Sequence, residues 1–164
     1  MIAAAAAAPL VMAQNKQLTL RERVLGSWKL ISWEEKDPAN SKITYPCGKN
    51  AIGRIMYDAG GRMAAQIMNP DRRKVGGSNF RTWADNLTAE DAHGVLDGYI
   101  AYFGAFDIDE NKRTVTHHVQ GDLRPVFVGA ERTRKVEFLT EDRIVLSYFD
   151  ASFENRLIWD RELP

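Results

Sequence analysis

The sequence predicts a single all-β domain, an up-and-down antiparallel barrel of about eight to ten strands, with a short N-terminal helix and a helical lid loop. Three features point there. From Tyr99 onward the pattern is strand after strand: YIAYFGAFDI, RTVTHHVQG, PVFVG, ERTRKVEFLT, RIVLSYFD and NRLIWDREL. The connections are short and built of turn residues, as at 109–112, 129–130 and 140–142. A meander of this length has two unpaired edges unless it closes, and a closed barrel of this strand number encloses one small ligand. An open sandwich is the alternative.

Residues 1–18 stand apart from the domain at 19–164. The segment MIAAAAAAPLVMAQ is apolar, too short to span a bilayer, and carries Val-Met-Ala before Gln14. It reads as the apolar region and cleavage site of a signal peptide, without the usual positive start, or as a disordered Ala-rich tail. Periplasmic or secreted localisation follows from the first reading and a cytoplasmic one from the second. No later apolar run is long enough for a membrane helix.

Residues 19–25 form a short helix, with Thr19 and Glu22 as a capping pair and Gly26 as its stop. SWKLISWE at 27–34 reads as a strand, and 37–41 as a polar turn. Residues 51–69 are the clearest hairpin, with Ala-Gly-Gly at 59–61 between two strands. Residues 70–85 are polar and irregular, with Phe80 and Trp83 as the large apolar groups. A second capped helix over 88–97, stopped by Gly98, makes this loop a candidate lid, or a docking surface for a protein partner.

Composition excludes several classes. Lys plus Arg equals Asp plus Glu at 22 each, so net charge gives nucleic acid no foothold. The basic cluster of Arg72, Arg73 and Lys74, with Arg62 and Arg81, lies beside Pro70, Gly76 and Gly77 and reads as a solvated loop. Cys47 is the only cysteine, so neither an intramolecular disulfide nor a thiolate zinc cluster is open to it. Adjacent His117 and His118 face opposite sides of a strand and cannot share one metal ion. There is no nucleophile elbow and no phosphate-cradling glycine loop. We therefore expect no metal and no cofactor.

Parity along the strands selects the interior. Val115, His117 and Val119 share one face, which puts His117 inside and His118 outside. Arg134 shares a face with Val136 and Phe138 and also points inward. A buried Arg needs a partner: Glu137, backbone carbonyls, or an anionic or carbonyl-bearing ligand. Residues 99–106 are apolar on both faces, so parity does not choose between Tyr99 with Phe103 and Tyr102 with Phe106. The candidate polar set is His117, Arg134 and Tyr102. The candidate lining is Trp33, Met56, Tyr57, Gln66, Tyr99 and Phe103.

The segments GSWKLISWE, GRIMYDAGGRMAAQIM, LDGYIAYFGAFDID, TVTHHVQ and VGAERTRKVEFL, in that order from about residue 25 onward, resemble the bacterial and fungal lipocalin-like domain family of calycin-type barrels. The resemblance implies a compact barrel with an internal cavity. Its motif positions fall on Trp28, Tyr57, Gly61, Tyr102, His117 and Arg134. It implies that Trp28 packs across the barrel floor and that Arg161 stacks on it. The later disulfide and C-terminal helix of the lipocalins proper are absent. Some fungal members of the family sit in polyketide or terpenoid pathways.

The expected function is binding of a small, largely apolar or aromatic molecule inside the barrel. The alternative is a cofactor-free isomerase, cyclase, dehydratase or lyase acting next to a carbonyl. There His117 would move a proton while Arg134 and Tyr102 stabilise an enolate. The sequence leaves the oligomeric state open.

Overall fold

A computed structural model of the protein describes residues 17–79 and 81–163. Its elements run α1 (Leu20–Val24), β1 (Gly26–Lys36), β2 (Ile43–Thr44), β3 (Ile52–Tyr57), β4 (Arg62–Met68), α2 (Ala89–Asp97), β5 (Tyr99–Asp109), β6 (Thr114–Asp122), β7 (Glu131–Thr140), β8 (Arg143–Asp150) and β9 (Phe153–Arg161). Sequential strands pair antiparallel, and β1 also pairs with β9 from Trp28↔Arg161 to Lys36↔Glu154. That pairing closes the meander into a barrel of β1 and β3 to β9, and β2 is a short extra strand on β1. No helix among the described residues is long and apolar enough to cross a membrane. The candidate signal segment lies almost wholly outside the described residues.

One expected strand is not a strand. PVFVG forms a 3-10 turn at Pro125–Phe127. Pro125 has no N–H to give a ladder and its fixed φ suits the first helical position.

The chain order puts α1 and the β3–β4, β5–β6 and β7–β8 turns at one end of the barrel, and the longer connections at the other. The first end is closed. Leu20 and Val24 of α1 are buried against Trp28, whose Nε1 donates to the Val24 carbonyl at 2.8 Å. The helix is fastened at both termini. Glu110 accepts from the Leu20 and Arg21 amides at 2.8 and 3.0 Å, and Thr19 with Glu22 completes a capping box. Arg161 donates to the carbonyls of Leu25 and Arg23 while its guanidinium lies 4.1 Å from the Trp28 ring centre. The stacking that the resemblance implies is therefore present.

Register breaks decide which side chains face in. β1 carries a bulge between Leu30 and Ser32. Trp28 and Leu30 are inside before it, and the extra residue, Ile31, returns Trp33 to the inside after it. β6 carries another against the Phe103–Gly104 step of β5, with Gly104 opposite Val119 and Phe103 opposite Gly121. Beyond it Asp122 stands opposite Tyr102 with its side chain fully buried.

Candidate functional site

The barrel encloses a cavity of about 670 Å³. Its wall combines aliphatic and aromatic groups, among them Trp33, Ile55, Ile67, Leu146, Tyr148 and Trp159, with a comparable share of polar and charged ones. Its rim at the open end carries Glu35, Pro46, Arg124, Phe127 and Asp150. α2 forms at the expected place on the open-end side, where Arg72 donates to the Val95 carbonyl and Arg73 pairs with Asp91. None of the described residues of 70–97 lines the cavity; Arg124 and Phe127 of the 3-10 turn do.

At the centre stands His117, 1% exposed, between two tyrosines. The Tyr57 hydroxyl lies 2.8 Å from Nε2 and the Tyr102 hydroxyl 3.0 Å from Nδ1. Burial, with the positive charges of Arg134 and Arg132 and with His118, holds the His117 pKa down at about 3. The imidazole is therefore neutral at physiological pH, one nitrogen donating and the other accepting. Burial also raises the Tyr57 and Tyr102 pKa values, so both hydroxyls keep their protons.

Three arginines reach the cavity. Arg132 donates to Asp122 at 2.8 Å and stacks on Tyr102 and on Phe127. Arg124 lies 3.6 Å from the same carboxylate. Arg134 points inward, as parity requires, but not to Glu137. Its guanidinium lies 3.8 Å from the Tyr148 ring centre and donates to the Thr133 carbonyl at 3.1 Å. No carboxylate pairs with it among the described residues. Asn155, 1% exposed, accepts from Trp33 Nε1 at 2.8 Å, while Trp159 Nε1 is buried with no partner among the described residues.

The structure brings His117, Arg134, Tyr102 and Trp33 together around this space, with Tyr57 bonded to His117 but off the cavity surface. It places Met56, Gln66, Tyr99 and Phe103 on the outer wall, which corrects their assignment to the lining. Met56 and Phe103 are 42% and 57% exposed. Tyr99 packs under Arg72 beside Gln66 on an outer groove. The physical reason is register. Tyr102 and Phe106 point in together with Ile100, so Tyr99 and Phe103 point out; Ile55 and Tyr57 point in, so Met56 points out; Ala65 and Ile67 flank Gln66 in the same way.

Sequence reasoning missed three residues of the site, Arg132, Trp159 and Asp122. Arg132 has the same parity as Arg134, and extending that alternation by one step finds it. Trp159 alternates inward with Leu157 and Asn155 on β9 and was equally legible. Asp122 was not, because a bulge reverses its face. Histidine 118, by contrast, sits outside as parity requires, between Asp107 and Glu131 at 2.8 and 3.2 Å. Cys47 is buried, and burial pushes its thiol pKa up. It is not a poised thiolate.

Comparison with curated proteins finds no match. Among solved structures a de novo designed fluorescence-activating β-barrel is similar over 89% of this chain and 100% of its own, at 7% identity and a TM-score of 0.42. That likeness is too loose to carry an argument. The family model of the lipocalin-like domain matches residues 25–161. With the closed barrel, the plugged floor and the Trp28–Arg161 stack, the chain belongs to the lipocalin-like domain family.

Proposed function

We propose that this barrel binds a small, largely apolar or aromatic molecule in its internal cavity. The observation that carries the reading is the cavity itself: about 670 Å³, walled by Trp33, Tyr148, Trp159 and aliphatic side chains, with polar and charged groups, His117, Arg132 and Arg134 among them, converging on it. Pockets of this size and lining suit compact organic ligands.

The enzymatic alternative draws less support. A general base near neutral pH needs a matching pKa and access to the proton it takes. His117 has a pKa of about 3 and both ring nitrogens are engaged by tyrosines. Its role is to order hydroxyls rather than to carry a proton.

The test is native mass spectrometry of the purified protein, together with titration of the neutral fluorophore N-phenyl-1-naphthylamine. Saturable one-to-one binding, reduced at least about tenfold by Leu146→Trp, which fills the cavity, supports the reading. Absence of binding, or binding that the filled variant leaves intact, overturns it.

A further inference from the structure

We propose that the cavity ligand is an organic carboxylate, received by the Arg134 guanidinium and the Tyr102 hydroxyl, with the Tyr57–His117 pair aiming the Tyr102 proton at it. This deepens the small-molecule reading and rests on it. Three independent observations converge.

The first is charge. Arg124 and Arg132 share the buried carboxylate of Asp122. The acids on the cavity rim do not reach Arg134. Glu35 accepts from Thr44, Glu131 sits beside His118, and Asp150 is exposed at the β8–β9 turn. Arg134 is left with one backbone carbonyl and an aromatic face. A guanidinium has five N–H donors in a planar fork, and the oxygen pair of a carboxylate matches that fork bidentately.

The second is the direction of the hydroxyl protons. Tyr57 is 3% exposed, and His117 Nε2 is the only acceptor its O–H reaches among the described residues. If Tyr57 accepted instead, its own proton would be buried without a partner, at a cost of about 1–3 kcal/mol. Tyr57 therefore donates to Nε2, and His117 carries its proton on Nδ1. Nδ1–H then donates to the Tyr102 oxygen at 3.0 Å. The Arg132 guanidinium lies beside the same hydroxyl and over its ring. With its oxygen accepting, Tyr102 has its own proton left to give, and it lines the cavity.

The third is Trp159, whose buried indole N–H on the same cavity wall has no acceptor among the described residues. Arg134 and Tyr102 offer hydrogens to the cavity, and Trp159 adds a donor whose nitrogen is buried within its wall. The complement of such a wall is a group that only accepts, on an apolar body.

The experiment compares naphthalene-2-carboxylate, its methyl ester and naphthyl phosphate at pH 7, by calorimetry on the intact protein, Arg134→Gln and Tyr57→Phe. The wild type should bind the carboxylate at least about tenfold more tightly than the ester, the range of one charged hydrogen bond. Arg134→Gln should bring acid and ester to within about twofold of each other. Tyr57→Phe touches no ligand, yet it frees His117 to take its proton on Nε2 and accept from Tyr102. Acid affinity should then fall about twofold or more, and the long-range 1H–15N spectrum of His117 should show the Nε2–H tautomer beside the Nδ1–H one. Circular dichroism confirms the fold of each variant. Equal affinity for acid and ester, a preference that survives Arg134→Gln, or tighter binding of the phosphate overturns the carboxylate proposal while the cavity reading stands. If none of the three ligands and no N-phenyl-1-naphthylamine binds, both fall together.

Discussion

His117 shows how burial converts a titratable side chain into a fixed hydrogen-bonding element. Its folded pKa of about 3 lies below the ordinary imidazole value of 6.5. Between those two values the unfolded chain binds a proton that the native state refuses. The contribution is complete above about pH 6.5 and is lost as pH falls through that window. The depression amounts to as much as roughly 4–5 kcal/mol at its acid end. The groups facing the ring are Tyr57, Tyr102, Arg132 and Arg134, with His118 behind it on the outer wall. Burial pushes the Tyr57 and Tyr102 hydroxyls up, away from that window. Urea denaturation of wild type and His117→Gln from pH 7 to pH 4 checks this. The wild type should lose stability more steeply than the variant, and parallel pH profiles would contradict it. Trp159 makes a simpler case. Its N–H has no partner among the described residues, so Trp159→Phe should change stability by less than about 1 kcal/mol. Replacing a hydrogen-bonded buried indole such as Trp33 should cost more.

At the scale of strands and helices, two bulges build the site. The extra residue in β1 brings Trp33 inward, and the one in β6 brings Asp122 in beside Arg132. At the second, β5 and β6 approach so closely that a Cβ on Gly104 would lie 1.9 Å from the His118 carbonyl oxygen. Gly104→Ala should therefore cost about 2–3 kcal/mol through strand displacement, read as a lowered urea midpoint. An unchanged midpoint would show that the strands have slack there. The floor is equally specific. Arg161→Ala removes the Trp28 stack and two carbonyl partners of α1, and should cost about 2–3 kcal/mol in thermal or urea unfolding. These elements also show where the sequence was legible. Alternation alone placed Val115, His117 and Val119 inside and His118 outside, and placed Arg134 with Val136, because those stretches pair without a break. It failed where an extra residue resets the period, as at Asp122, and where both faces are apolar, as at Tyr99 and Phe103. An isolated strand does not show which of its apolar faces the neighbouring strands will cover. The capping residues of α1 and α2 were legible because the boxes are local; the fastening of α1 by Glu110 was not, since it joins groups 90 residues apart in sequence.

The whole molecule is a barrel plugged at one end and open at the other, its charges sorted by depth. Apart from Asp122, which is buried against Arg132, carboxylates lie on the rim and outer wall, while guanidinia, hydroxyls and an indole N–H point inward. The four tryptophans sample this arrangement separately: Trp28 in the floor, Trp33 and Trp159 on the cavity wall, Trp83 in the loop before α2. Their indole N–H resonances in a 1H–15N correlation spectrum follow a titration with naphthalene-2-carboxylate. Ligand seated inside should shift Trp159, with Trp33 beside it, in proportion to saturation, and leave Trp28, already bonded to the Val24 carbonyl, and Trp83 in place. Saturable binding that moves only Trp83, or none of the four, would put the ligand on the outside of the barrel and contradict the account.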